Sequence, residues 1–340
     1  MSLRVGIVGL PNVGKSTLFN ALRQAQGKLL SGLAQTGNYP FTTVEPNVGV
    51  VAVPDERLEK LSELVANELS PSTTSTSQFG PELTAEGLST SALRTSRPPV
   101  VPAVVQFVDI AGLVKGAAQG EGLGNQFLSH IREVDTIVHV LRDFEDPNVV
   151  RAGGSVNPKE DKKLVETELE LADLDHVDKL STKPVLYVYN VDESDIKSEI
   201  LRFAQDDNSI VICAKLEEEL TDLSQEERKQ YLKELGIHET GLERLIRQTY
   251  KLLDLITFYT IKGGKEVHGW SLKAGSSAFD AAGKVHTDFA KNFIKAEVVS
   301  VDELLYIGSW QKAKKIGKIR LGGKDYIVKD GDVIEFLISS

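Results

Sequence analysis

The stretch Gly9-Leu10-Pro11-Asn12-Val13-Gly14-Lys15-Ser16-Thr17 constrains the fold of this chain more than any other. It matches G-x-x-x-x-G-K-[ST], a pattern that needs a strand before it and a helix after it. Both are present in the sequence. Residues 3–8 form a short apolar, β-branched run, and residues 15–24 read as a helix. The glycines let backbone N–H groups turn inward around an anion. Lys15 adds a point charge, and the Ser16 hydroxyl is a hard oxygen suited to Mg²⁺. The positive end of the helix dipole favours the same anion. A chain with this element is expected to be an α/β protein that cradles a polyphosphate.

The strand pattern extends that reading. Residues 48–53, 104–108, 136–141, 185–189 and 210–213 read as further strands with helical patterns between them. Such alternation predicts a mostly parallel, doubly wound sheet. Residues 70–102 interrupt it with a Ser/Thr/Pro-rich composition, read as a surface loop. Residues 159–180 are charged and helical in pattern. From residue 257 the pattern changes to short strands at 258–261, 267–272, 293–299, 326–328 and 333–337, with one helix at 279–290. We therefore expect a nucleotide domain over 1–256 and a small β-grasp domain over 257–340, which suits a chain of 340 residues.

Two further motifs follow strands. Asp109-Ile110-Ala111-Gly112 ends the third strand. There an Asp can hold Mg²⁺ through water, and a Gly N–H can approach a γ-phosphate. Asn190-Val191-Asp192-Glu193 ends the fifth strand, where guanine-specific proteins carry N-K-x-D. In those proteins the Asp accepts from guanine N1–H and from its exocyclic amine. Here Val191 stands at the Lys position and Glu193 at the Asp position, which argues against guanine. Between the first helix and the second strand, Thr42 and Thr43 compete for a place on the metal and the γ-phosphate.

Together, residues 9–17, 39–47, 109–117, 190–193 and 323–332 resemble the Obg-like ATPase (YchF) family. The resemblance covers nearly the whole chain except 70–102. It implies a Ras-like ATPase domain, a helical insertion and a C-terminal TGS domain. It also implies ATP and Mg²⁺ as ligands and the ribosome as partner, as the 50S subunit and the 70S particle. Carried over by motif, Asn12, Val13, Gly14, Lys15, Ser16 and Thr17 would bind the phosphates. Ser16 and Thr43 would ligate Mg²⁺, and the Val191 backbone would read adenine. The family's long coiled coil lies between the fourth and fifth strands. Only residues 148–183 remain for it here, too few for a long helical hairpin.

The position after D-x-x-G, where Ras-like enzymes keep a water-orienting Gln, holds Leu113. The resemblance points instead to His139 as the group that positions water; the alternative is a core histidine. His130, His176, His238, His268 and His286 show no metal-ligand spacing. Lys312, Lys314, Lys315, Lys318 and Arg320 form a basic run that is either a solvated face or a contact for ribosomal RNA. The net charge of −10 gives no wider support for a nucleic-acid partner. No apolar run reaches membrane-spanning length. Residues 1–9 lack a leader pattern, and Cys213 stands alone, so a cytoplasmic protein is expected. An Obg-type GTPase and a non-hydrolysing, nucleotide-gated scaffold are the rival readings.

Overall fold

The computed structural model describes residues 3–33, 47–69, 97–110, 112, 123–146, 156–174, 179–203, 206, 208–261 and 264–339. Its strands in chain order are β1 (Arg4–Val8), β2 (Val48–Ala52), β3 (Val100–Val101), β4 (Val104–Asp109), β5 (Thr136–Asp143), β6 (Val185–Val191), β7 (Ser209–Ile212), β8 (Leu255–Ile261), β9 (Val267–Lys273), β10 (Phe293–Ser300), β11 (Arg320–Gly322) and β12 (Asp332–Ile338). They fall into two compact units. One comprises Met1–Pro54 and Val104–Leu255, the other Asp55–Ala103 and Ile256–Ser340.

The first unit is built on a sheet of order β2-β4-β1-β5-β6-β7. Only β2 runs against its neighbour; β4, β1, β5, β6 and β7 are mutually parallel. Strands buried on both faces read as continuous apolar runs, and Val5, Ile7 and Val8 of β1 have no exposure. One face carries Val8, Ile110 and Ile137. Helix Leu123–Arg132 covers it with Phe127, Leu128 and Ile131, and helix Pro158–Ala172 with Val165, Leu169 and Ala172. The chain returns to either side of β1, so its C-terminal end lies at the switch in strand order. Crevices for ligands form there in doubly wound sheets.

Within the expected insertion, residues 147–155 and 175–178 lie outside the described residues. Helix Pro158–Ala172 starts on an Asn157 cap, whose side chain accepts from the Glu160 N–H, with Pro158 in the first turn. Its apolar stripe at 165, 169 and 172 lies on the sheet face.

The second unit has a six-stranded sheet of order β11-β10-β12-β8-β9-β3. Four sequence expectations change here. First, residues 55–103 do not belong to the nucleotide unit. Helix Glu56–Leu69 puts Leu58, Leu61, Leu64 and Val65 against Tyr259, Val267, Val299, Val301, Leu304 and Val333. Arg57 bridges Asp55 and Asp330 at 2.9 and 2.6 Å, and Tyr259 donates its hydroxyl to Asp55. Second, the end of the expected 70–102 loop is strand β3, parallel to β9 through Val100 and Val267. Residues 70–96 lie outside the described residues. Third, the helix expected over 279–290 is two, Ala278–Val285 and Thr287–Lys291. His286 between them is extended (φ −161°) and its Nδ1 accepts from the Asp288 N–H at 3.2 Å. Fourth, residues 326–328 contribute one bridge, Ser277 to Ile327, and no strand. Among the described residues no helix is long and apolar enough to cross a membrane.

Candidate nucleotide-binding site

The loop after β1 turns sharply at Asn12 (φ 62°) and Gly14 (φ 98°) before helix Lys15–Leu33 begins. Asparagine is among the few non-glycine residues that tolerate the left-handed region. Gly14 has a further reason: a Cβ there would lie 2.2 Å from Asn190 Nδ2. Val13 is buried, whereas Ser16 is exposed and Thr17 partly so, at the helix start.

Lys15 is 8% exposed. Its ammonium donates to the carbonyl oxygens of Gly9 at 3.0 Å and Leu10 at 2.7 Å. Burial pulls its pKa down to about 8, partly offset by the charge of Asp109. Asp109, at the end of β4, has its carboxyl pushed above the usual range by burial, against the pull of Lys15. Its backbone N–H donates to Asn47 O at 2.9 Å. Gly112 abuts the same loop, since a Cβ there would meet Lys15 Nζ at 3.1 Å and Gly9 O at 3.5 Å. Lys15, Asp109 and Gly112, far apart in sequence, therefore come together at the C-terminal ends of the adjacent interior strands β1 and β4. Thr43 and Leu113 lie outside the described residues.

Asn190 at the end of β6 is 5% exposed. Its Nδ2 donates to Val13 O at 3.0 Å, and its Oδ1 accepts from Ala214 N at 2.9 Å. It ties the loop after β1 to the start of helix Ala214–Asp222. The sequence reading missed Ala214, whose only signal was its place just after the sixth expected strand. Val191 sends its side chain into a cluster with Ile196, Val211, Cys213, Leu216 and Leu220, which leaves only its backbone for a ligand. Glu193 is exposed, and its Oε1 accepts from the Tyr231 hydroxyl at 2.6 Å. Tyr231 was also missed; nothing near Glu193 in sequence announces it.

His139 lies in β5 opposite Val8, one residue before Gly9. It is 2% exposed and its ring faces Tyr187 at 5.8 Å. Burial pulls its pKa down to about 3, with Lys162 and Lys15 pushing the same way, so the imidazole is neutral. Lys162 Nζ sits 3.6 Å from the centre of the Tyr187 ring, and Tyr187 donates to Glu166 at 2.6 Å. His139 Nε2 has no hydrogen-bond partner among the described residues. The basic run is partly engaged within its own unit. Lys314 pairs with Glu297 at 2.7 Å and Lys318 with Glu303 at 3.1 Å, while Lys312, Lys315 and Arg320 are exposed.

A family model described as a 50S ribosome-binding GTPase matches residues 4–191, and one for the C-terminal part of YchF GTPases matches residues 255–339. The chain is 40% identical to the ribosome-binding ATPase YchF of Bacillus subtilis, over 99% of each. It is 39% identical to that of Escherichia coli O157:H7, over 100% of each. The solved structure of the Schizosaccharomyces pombe YchF GTPase matches with a TM-score of 0.73 at 29% identity, over 99% of this chain and 98% of that one. With its buried loop lysine beside Asp109 and Gly112, and this likeness over its full length, the chain belongs to the YchF family of P-loop nucleoside triphosphate hydrolases.

Proposed function

We propose that this chain is a Mg²⁺-dependent ATPase that prefers ATP to GTP and works as a nucleotide switch on the ribosome. The observation that carries the base preference is the end of β6. Asn190 braces the phosphate loop, while Glu193 is turned to Tyr231 and Val191 is buried, so these positions offer no guanine-type Lys stem or short carboxylate. The names of the relatives, ribosome-binding ATPases, agree with this reading.

In this reading Asn12, Val13, Gly14, Lys15, Ser16 and Thr17 cradle the phosphates. Mg²⁺ takes one or two protein oxygens and completes its shell with phosphate and water. The exposed Ser16 hydroxyl and Thr43 are the two protein oxygens we assign to it, and the Asp109 carboxylate would hold it through water. When bound, the ion neutralises charge on the phosphates. Gly112 N–H faces the γ-phosphate, and the Val191 backbone meets the adenine edge. The C-terminal unit acts as a TGS domain. Lys312, Lys315 and Arg320 are its exposed cations for ribosomal RNA, with the 50S subunit and the 70S particle as partners in the cytoplasm.

Competitive displacement of a fluorescent nucleotide tests the base preference, and phosphate release with and without 50S and 70S particles tests the switch. ATP is expected to bind more tightly than GTP, and ribosomes are expected to change the rate of release. Tighter GTP binding would promote an Obg-type GTPase; no release under any condition would leave a nucleotide-gated scaffold.

His139 Nε2 is the atom we assign to the attacking water. A neutral imidazole can accept its hydrogen bond. His139→Ala is then expected to lower turnover by about 100-fold or more with ATP affinity little changed. Single-turnover kinetics beside thermal unfolding checks it: a large loss of stability with turnover intact would make His139 a packing residue.

A further inference from the structure

We infer that Tyr231 is a positioning residue for base selectivity, one that holds the Glu193 carboxylate away from the base edge. The inference rests on the proposed adenine preference and goes beyond it by naming what enforces it.

The loop after β6 carries two carboxylates, and protein donors engage both. Asp192 Oδ2 accepts from the Glu145 N–H at 3.3 Å, and Glu193 Oε1 accepts from the Tyr231 hydroxyl at 2.6 Å. The second contact is charge-assisted and short, the stronger class of hydrogen bond. Tyr231 is also well fixed. Its helix, Gln225–Leu235, starts on a reciprocal Ser224/Glu227 capping box and ends at Gly236 in the left-handed conformation. The Tyr231 ring and Leu232 pack on the cluster of Val191, Ile196, Leu216 and Leu220, which also anchors the loop itself. Phenol and carboxylate are therefore held by one core, and the loop's position against the phosphate site is set by Asn190. Guanine is recognised through a carboxylate that accepts from two ring donors at once. A carboxylate already occupied by a phenol, and one methylene longer than Asp, does not meet that demand without giving up its own partner.

The test is Tyr231→Phe, which removes the hydroxyl and keeps the packing. Kd values for ATP and GTP are read by displacement of the fluorescent N-methylanthraniloyl derivatives, beside a thermal melt. Freed Glu193 should improve GTP binding relative to ATP by about 3- to 10-fold, the worth of one exposed charge-assisted hydrogen bond. In a Glu193→Gln background the same substitution should leave the ratio where Glu193→Gln alone puts it. An unchanged ratio in Tyr231→Phe overturns the inference, and so does a shift that persists in the Glu193→Gln background. Failure of the underlying reading looks different: the unsubstituted protein would bind GTP more tightly than ATP.

Discussion

Lys15→Ala is expected to cut ATP turnover by at least about 100-fold and to weaken triphosphate binding in parallel. The argument starts from where the charge sits. Lys15 is 8% exposed, and the groups that receive its ammonium protons are two neutral carbonyls, Gly9 O and Leu10 O. Carbonyls orient a charge without cancelling it. Its pKa, lowered to about 8, still leaves it charged at pH 7. A positive charge with little water around it acts on a phosphate more strongly than one on the surface. Alanine removes that charge and leaves the Asp109 carboxylate beside the loop we assign to the phosphates, so the local field there changes sign as well as size. Folding moves the opposite way. Burial opposes the charged form of Lys15, so the free protein carries a penalty below about pH 8 that fades as pH rises toward the ordinary lysine value of 10.5. The substitution relieves that penalty at pH 7, and the melting temperature of the free protein should hold or rise. Phosphate release in single turnover, beside a thermal melt, reads both. Turnover within about 3-fold of the unsubstituted protein would reject the assignment of this loop to the phosphates.

The phosphate loop and the parallel sheet could be read from sequence because their determinants are local. Gly9, Gly14, Lys15 and Ser16 lie within one turn of chain, and the flanking strand is a run of buried β-branched residues. What could not be read depends on distant partners. The apolar stripe of Leu58, Leu61 and Val65 announces a helix with something to bury. It does not say that β8 and β9, far along the chain, provide the surface. β3 is two valines after a proline pair, too short for any alternation to be seen. The break at His286 shows as one extended residue between two helices rather than as a change of apolar pattern. Within the site, Val191 was weighed as a residue beside the base, whereas its neighbours in space turn it into the core. A lysine there, in imitation of guanine binders, would have to place an ammonium among Ile196, Val211 and Leu216. The partner of Glu193 was hidden for the same reason, because Tyr231 arrives from a helix well down the chain.

Asn190→Ala is expected to lower the free energy of unfolding by about 2–4 kcal/mol and ATP affinity by at least about 10-fold. Asn190 is 5% exposed, and its amide makes one bond in each direction. Nδ2 donates to Val13 O at 3.0 Å, and Oδ1 accepts from Ala214 N at 2.9 Å. Alanine leaves a carbonyl and an N–H inside the protein without these partners, and each stranded group costs about 1–3 kcal/mol. The loss also reaches the ligand. Val13 and Gly14 carry backbone that we assign to the phosphates, and Gly14 packs so closely on Asn190 that a Cβ would sit 2.2 Å from Nδ2. Without the amide the loop is less ordered before binding, and affinity falls by whatever ordering then costs. Asn190→Asp separates hydrogen bonding from packing. It keeps the shape and the acceptor for Ala214, but it sets an oxygen against Val13 O where a donor stood. Urea unfolding and ATP displacement on both variants provide the measurement. If the Asn190→Asp protein unfolds and binds like the unsubstituted chain, the bond to Val13 carries neither effect and the brace between the two loops must lie elsewhere. If both variants lose stability and affinity together, and to a similar extent, the amide is what holds the phosphate loop in its binding shape.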